Sequence, residues 1–226
     1  VAVVPAWNEE ASVGDVVRGL RSLGLEVVVV DDGSTDATGA RAREAGAVVL
    51  RPAFNLGIGG AVQTGFRWAR LRGARAVVQV DGDGQHPASE VPIVLAPVLD
   101  GRADVTIGSR FLGPGADAGD RSTGARRAGI GWLSFLVRLR CGRRFTDPTS
   151  GLRAVGPAAL DWLAERYPED YPEPQVLAPL VRRGFRVAEV PVSMRARTGG
   201  RSSIRGLRPL LYMAKVSVSL VLGSME

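Results

Sequence analysis

The chain has 226 residues, 45% of them hydrophobic and 23% charged, which excludes a disordered tail or a fibrous repeat and fits one compact globular unit with or without an appendage. Its 29 basic and 23 acidic residues leave a net charge of +6, carried almost wholly by arginine, since Lys215 is the single lysine. The charge is polarised, net −3 through Gly108 and net +9 beyond it, which suits a metal or sugar site in the first part and an anionic partner (phosphate, nucleic acid or a membrane surface) for the second.

Cys141 is the only cysteine, so an intrachain disulfide and a thiolate metal cluster are excluded and a reducing compartment is expected. Val1 to Pro5 reads as a strand and lacks the charged region and cleavage site of a secretory leader. No apolar run reaches the length of a membrane-spanning helix; the longest, Leu210 to Leu222, is interrupted by Lys215, Ser217 and Ser219.

Short valine-rich runs alternate with stretches of helical period, the pattern of βαβ units feeding a mostly parallel sheet covered on both faces. Strands are predicted at Val1–Pro5, Glu26–Val30, Ala47–Leu50, Ala76–Val80 and Asp104–Gly108, and helices at Glu9–Leu23, Thr35–Ala45, Gly59–Leu71 and Pro87–Leu99. Ser34 or Thr35 is placed to cap the second helix, and Pro87 suits a first turn. Ser109 to Arg127 reads as a long loop of the kind that closes over sites. Beyond it come a helix from Ala128 to Leu139 with Trp132, Phe135, Leu136 and Leu139 at i, i+3, i+4 and i+7, and a strand at Leu152–Val155. Helices at Ala158–Glu165 and Gln175–Arg183, a strand at Arg186–Pro191 and a helical tail from Leu207 complete the chain. In the tail, Leu207, Leu210, Leu211, Ala214 and Val218 share one face. No linker separates two domains, so 1–226 is expected to be one domain with a first part over 1–108, a second over 109–206 and a C-terminal amphipathic helix over 207–226.

Chemistry concentrates at strand ends. Asp81-Gly82-Asp83-Gly84-Gln85-His86-Pro87 closes an apolar strand with two carboxylates one residue apart, where open α/β sheets place ligands. Such a pair presents oxygens to a hard divalent cation such as magnesium or manganese, and Gln85 can add another; alone, the same residues make an ordinary polar turn. Pro5-Ala6-Trp7-Asn8-Glu9-Glu10 and Val30-Asp31-Asp32-Gly33-Ser34-Thr35-Asp36 follow the first two strands. Asn55-Leu56-Gly57-Ile58-Gly59-Gly60-Ala61 opens a helix whose N–H groups favour an anion. Singly, each has a bland reading as cap, core packing or tight loop, but four at successive strand ends of one sheet argue for a site. The glycines do not spell Gly-x-Gly-x-x-Gly after a first strand and no Walker lysine exists, so nicotinamide dehydrogenases and P-loop kinases drop out.

With Gly108-Ser109-Arg110-Phe111 added, these motifs resemble, in order and spacing over most of the chain, the inverting family 2 glycosyltransferases of GT-A (nucleotide-diphospho-sugar transferase) fold. Asp83-Gly84-Gln85-His86-Pro87, Gly108-Ser109-Arg110 and Thr146-Asp147-Pro148-Thr149-Ser150-Gly151-Leu152-Arg153 resemble the dolichyl-phosphate mannose synthase and polyprenyl-phosphate branch. The resemblance implies a mostly parallel central sheet with helices on both faces, plus amphipathic acceptor-side and C-terminal helices. It further implies a hexose donor carried on UDP or GDP, held by Pro5, Trp7, Glu9, Asp32, Gly59, Asp81 and Gly82. Asp81, Asp83 and Gln85 would hold Mg2+ or Mn2+ on the diphosphate. Arg110, with Arg126 or Arg127, would meet acceptor phosphate, and the Thr198–Ile204 loop with Arg201 and Ser202 resembles one near the donor diphosphate. Leu56 departs from the basic residue that many relatives carry after Asn55.

The expected reaction moves a hexose to a polyprenyl phosphate with inversion, catalysed by Asp83 and Arg110 with the metal; the alternative acceptor is a hydroxyl on a glycan, lipid or small molecule. A hydroxyl must lose a proton whereas a lipid phosphate is already an oxyanion, so the second case needs a base, for which Asp170 and Glu173 are the candidates; otherwise they cap a helix or order a loop. Eight arginines against two aspartates between Arg110 and Arg144, beside Trp132, Phe135 and Leu136, suit an anionic bilayer, or equally a solvated face. The expectation is a cytoplasmic enzyme, peripheral on the membrane, and nucleic acid is disfavoured because no recognition motif accompanies the charge.

Overall fold

The computed structural model describes residues 1–112, 124–195 and 215–219, without the side chains of 124–126. The elements in chain order are β1 (Ala2–Ala6), α1 (Val13–Ser22), β2 (Val27–Asp31), α2 (Thr38–Glu44), β3 (Val48–Leu50), α3 (Gly57–Leu71), β4 (Val77–Gln79), α4 (Val91–Leu99) and β5 (Val105–Ser109). They continue with α5 (Gly124–Cys141), β6 (Arg153–Val155), α6 (Pro157–Arg166), α7 (Pro172–Gln175), α8 (Leu177–Arg182) and β7 (Val187–Pro191).

Seven strands form one sheet in the order β3-β2-β1-β4-β6-β5-β7. Among the described residues β6 alone runs against its neighbours, antiparallel to both β4 and β5, and the other pairings are parallel. All five residues of β1 and of β2 are buried, as strands covered on both faces must be. Alternation then sorts side chains by face. Val3 and Val28 join the core with Phe66 of α3, Leu133 of α5 and Leu160 of α6, while Ala2, Val4 and Val29 join Val13 and Val17 of α1 and Val94 of α4 on the other side. The α1 core contacts, Val13, Val16, Val17 and Leu20, have the i, i+3, i+4, i+7 spacing that makes a helix amphipathic.

Several boundaries differ from expectation. α1 begins at Val13 and not Glu9, because Asn8 takes a left-handed φ of 54° and the chain up to Ser12 wraps the strand ends. Neither Ser34 nor Thr35 caps α2: the Ser34 hydroxyl accepts from the Asn8 amide (2.9 Å), and Asp36 instead receives the Thr38 amide (2.9 Å) at the helix start. α5 starts at Gly124, inside the expected loop, of which 113–123 lie outside the described residues. The single helix predicted at Gln175–Arg183 is two, α7 and α8.

The face of α5 is also rotated from expectation. Ile130, Leu133, Leu136 and Val137 are buried, whereas Trp132, Phe135 and Leu139 lie exposed on the outside. Residues 215–219 are helical, with Val216 buried, Val218 exposed and the Ser217 hydroxyl accepting from Trp132 Nε1 (2.9 Å); the rest of the predicted tail lies outside the described residues. Among the described residues no helix is long and apolar enough to cross a membrane.

Candidate active site

The parallel strands β3, β2, β1 and β4 point their carboxyl ends the same way, and the segments leaving them converge on one cavity of about 580 Å3. Pro5, Ala6, Trp7 and Glu9 line it from β1, Asp32 from β2, Asn55, Gly57, Ile58 and Ala61 from the start of α3, Asp81, Gly82 and Asp83 from β4, and Glu173 from α7. It lies where the strand order reverses direction between β1 and β4, the usual ligand position in such sheets.

Backbone hydrogen bonding explains why these loops hold their shape without regular structure. The Asn8 amide donates to Ser34 Oγ (2.9 Å), the Thr35 amide to Asn8 Oδ1 (2.9 Å) and the Glu9 amide to Thr38 Oγ1 (2.8 Å), lacing the loops after β1 and β2 together. Ser12 Oγ donates to the Gly82 carbonyl (2.8 Å), tying α1 to the loop after β4. Gly33 turns the chain with φ 75°, which side chains disfavour, so that Asp32 Oδ1 can accept from the Leu56 amide (2.7 Å). Burial raises the Asp32 carboxyl above its ordinary pKa, against the lowering effect of the Leu56 and Gly57 amides. Trp7 is 50% exposed and offers a flat apolar wall.

Asp81 and Asp83 bring two carboxylates to the end of β4. Asp83 is buried and accepts the Gln85 amide (3.0 Å), while Asp81 has the imidazole of buried His86 3.5 Å away. Gly151 lies so close to Asp81 that any Cβ there would collide with the carboxylate oxygens. Among the described residues no three His, Cys, Asp or Glu side chains cluster as a metal cage. The hard oxygens of Asp81 and Asp83 therefore fit magnesium or manganese as a partial shell, completed by oxygens of a bound diphosphate and water.

Glu173, which also lines the cavity, sits in the short helix α7, entered through Tyr171 with a left-handed φ of 49°. Burial pushes its carboxyl up to about 7, with Asp81 adding to the rise and Arg153 opposing it.

Other expected site residues fall elsewhere. Asp170 is exposed and does not line the cavity, so of the two acceptor-side carboxylates only Glu173 reaches it. Gly59 is not in the lining; it is buried against the carbonyls of Pro168 and Glu169, where a side chain would clash with backbone. The Gln85 side chain donates from Nε2 to the Arg195 carbonyl (3.4 Å) and does not line the cavity. The Arg110 guanidinium is gripped by Asp147 through Nε–Oδ2 (2.6 Å) and Nη2–Oδ1 (2.7 Å), which makes it part of the frame under the site and not a lining residue. Arg127 is exposed in the first turn of α5. The Arg126 side chain, Arg201 and Ser202 lie outside the described residues.

Arg153 had no role in the sequence reading, although an arginine inside the run Leu152-Arg153-Ala154-Val155 signals a charge in a buried strand. It is buried in β6 and spends its guanidinium on backbone carbonyls.

The glycosyl transferase family 2 profile matches residues 1–149, which carry every lining segment except that of Glu173. The chain belongs to glycosyl transferase family 2. As a member of that family it is a glycosyltransferase, with the GT-A-like α/β fold of its solved relatives. An undecaprenyl-phosphate mannosyltransferase of Micrococcus luteus is 34% identical over 91% of this chain and 87% of its own length. A UDP-N-acetylglucosamine–dolichyl-phosphate N-acetylglucosaminyltransferase of Methanococcus voltae is 31% identical over 73% of this chain and 72% of its own. Among solved structures, glucosyl-3-phosphoglycerate synthase of Mycobacterium tuberculosis, in complex with Mn2+, UDP and glucosyl-3-phosphoglycerate, superposes with a TM-score of 0.71 at 25% identity, covering 98% of this chain and 77% of that one.

Proposed function

We propose that this family 2 glycosyltransferase moves a hexose, with inversion, from a nucleoside diphosphate sugar to a hydroxyl of a small-molecule, glycan or lipid acceptor, and that it is dependent on a divalent metal. The observation that carries the proposal is Glu173, a carboxyl poised near neutrality in the same cavity as Asp81 and Asp83. A hydroxyl acceptor needs such a base; a phosphate acceptor does not.

In this reading Asp32 and the Trp7 wall hold the nucleoside, and Asp81 and Asp83 hold Mg2+ or Mn2+ against the diphosphate. The bound ion supplies stabilisation of the charge that develops on the leaving diphosphate. Glu173 takes the acceptor proton onto a carboxylate oxygen as the hydroxyl oxygen bonds to the anomeric carbon from the face opposite the nucleotide. The bond from that carbon to the diphosphate oxygen breaks, and its electron pair leaves with the diphosphate. The synthase that holds Mn2+ and UDP makes a uridine donor the first to test.

A second reading, transfer to a polyprenyl phosphate at a membrane surface, is favoured by the Micrococcus and Methanococcus relatives and by the exposed Trp132, Phe135 and Leu139 beside Arg138, Arg143 and Arg144. Against it, Arg110, the expected phosphate contact, is committed to Asp147.

The experiment measures nucleoside diphosphate release from UDP- and GDP-hexoses with Mn2+ or Mg2+, adding either hydroxyl acceptors such as 3-phosphoglycerate or a short polyprenyl phosphate, for the wild type and E173Q. Release stimulated by a hydroxyl acceptor and lost in E173Q and with chelator is the expected result. Release stimulated by the lipid and kept by E173Q moves the acceptor to phosphate.

A further inference from the structure

We infer that Arg153 is a positioning residue that sets Glu173 against the Asp81–Asp83 side of the cavity; the inference rests on the reading of Glu173 as the base. Arg153 lies in β6, the one reversed strand, inserted between β4 and β5, so it stands beside the strand that ends in Asp81. Its residue is 2% exposed.

The guanidinium ties together two segments far apart in the chain. Nε donates to the Ser150 carbonyl (2.9 Å), and Nη2 to the Pro148 carbonyl (2.9 Å) and to the Glu173 carbonyl (2.8 Å). The first two anchor the turn whose next residue, Gly151, lies so close to the Asp81 carboxylate that a side chain there would collide with it. The third anchors the backbone of Glu173 itself. One planar, permanently charged group thus fixes the separation between the metal-side and base-side carboxylates.

A simpler residue would not serve. A buried arginine is costly unless its donors are met; here Nε and Nη2 meet the carbonyls of Ser150, Pro148 and Glu173, while Nη1 has no hydrogen-bond partner among the described residues. Glu173 lies between buried Pro172 and Pro174 in a helix one turn long, entered through a left-handed Tyr171, and the Arg153 bond ties its carbonyl to the Pro148–Ser150 turn. A shift of about 1 Å in a base costs on the order of a hundredfold in rate.

The test is a kinetic double-mutant cycle on the full chain with R153Q, E173Q and the double variant, with folding checked by circular dichroism and thermal melting. R153Q is expected to lower kcat for hydroxyl transfer about 10- to 100-fold, a larger change than any it makes in the KM for donor. R153K should recover part of that loss, and the double variant should be no slower than E173Q within about twofold, because both changes disable one base. Wild-type kcat in folded R153Q, a loss confined to KM, or a double variant slower by the product of the single effects would overturn the role of Arg153. If R153Q does not fold, the same cycle is run with R153K, judged by the same non-additivity. Full activity in E173Q would remove both this role and the base assignment, whereas an additive cycle removes only the former.

Discussion

Arg110 and Asp147 form a two-toothed ion pair beneath the site, Nε to Oδ2 at 2.6 Å and Nη2 to Oδ1 at 2.7 Å, with side chains 9% and 0% exposed. The Asp147 turn is itself pinned by Glu189 of β7, which accepts the Thr146 and Asp147 amides. Breaking one side of a buried pair strands a charge, so D147N is expected to lose about 3–5 kcal/mol in urea denaturation. R110M/D147L, which removes both charges, should recover most of that. Equal losses in the single and double variants would show that the pair itself stabilises the fold and that the stranded charge is not the cause.

Activity should follow the ionisation of Glu173. With its carboxyl held up to about 7, kcat/KM for hydroxyl transfer is expected to rise with pH to a plateau above neutrality. A pH–rate profile measured from pH 5 to 9 checks this; a profile flat across pH 7 would contradict it.

The same group makes stability fall as pH rises. The folded state keeps the Glu173 proton to about 7, whereas the unfolded chain releases it near 4.5, so between those values the native state binds more protons. The contribution is complete below about 4.5 and is lost as pH passes through 7, on the order of 3 kcal/mol. E173Q should flatten this slope and stand above the wild type at pH 8 in denaturant melts.

Gly151 is required by contact with Asp81. G151A would force the Asp81 carboxylate aside, and calorimetry should show metal-dependent nucleoside diphosphate binding weakened tenfold or more. Gly131, with nothing within 4 Å of an added Cβ on the exposed side of α5, is the control: G131A should bind normally and gain about 1 kcal/mol from helix propensity.

Gly59 separates two roles by kinetics. If it serves packing, G59A displaces the Pro168–Glu169 backbone that leads into α7, lowering stability by about 1–3 kcal/mol and kcat more than donor KM. A defect in donor KM alone would restore the nucleotide contact expected from the glycine run.

The valine runs placed five strands because a strand between layers of helix is apolar along most of its length, while α4, just as apolar over Val91–Leu99, differs from them by its greater length. The polar residues after those runs marked the site for a related reason: in a parallel sheet every loop on the ligand side follows a carboxyl end, so Trp7, Asp32, Asn55 and Asp81 had to gather. α5 was less legible. Two apolar stripes overlap in its sequence, and the stripe chosen by packing, through Leu133 and Val137, was not the aromatic one.

What the sequence determined by itself was therefore the strands and the end of the sheet at which the polar strand-end residues gather, both of which follow from local periodicity and chain direction. Only the tertiary structure decided that Glu173 and not Asp170 lines the cavity with Asp83, that Arg110 pairs with Asp147, that Gly59 carries a backbone crossing, and that Arg153 ties the Pro148–Ser150 turn to Glu173. These outcomes depend on contacts between residues far apart in the chain: Arg110 meets its carboxylate 37 positions away and Gly59 meets carbonyls more than a hundred away. A charge or a glycine looks the same locally whether it faces solvent, substrate or another loop; burial assigns the difference.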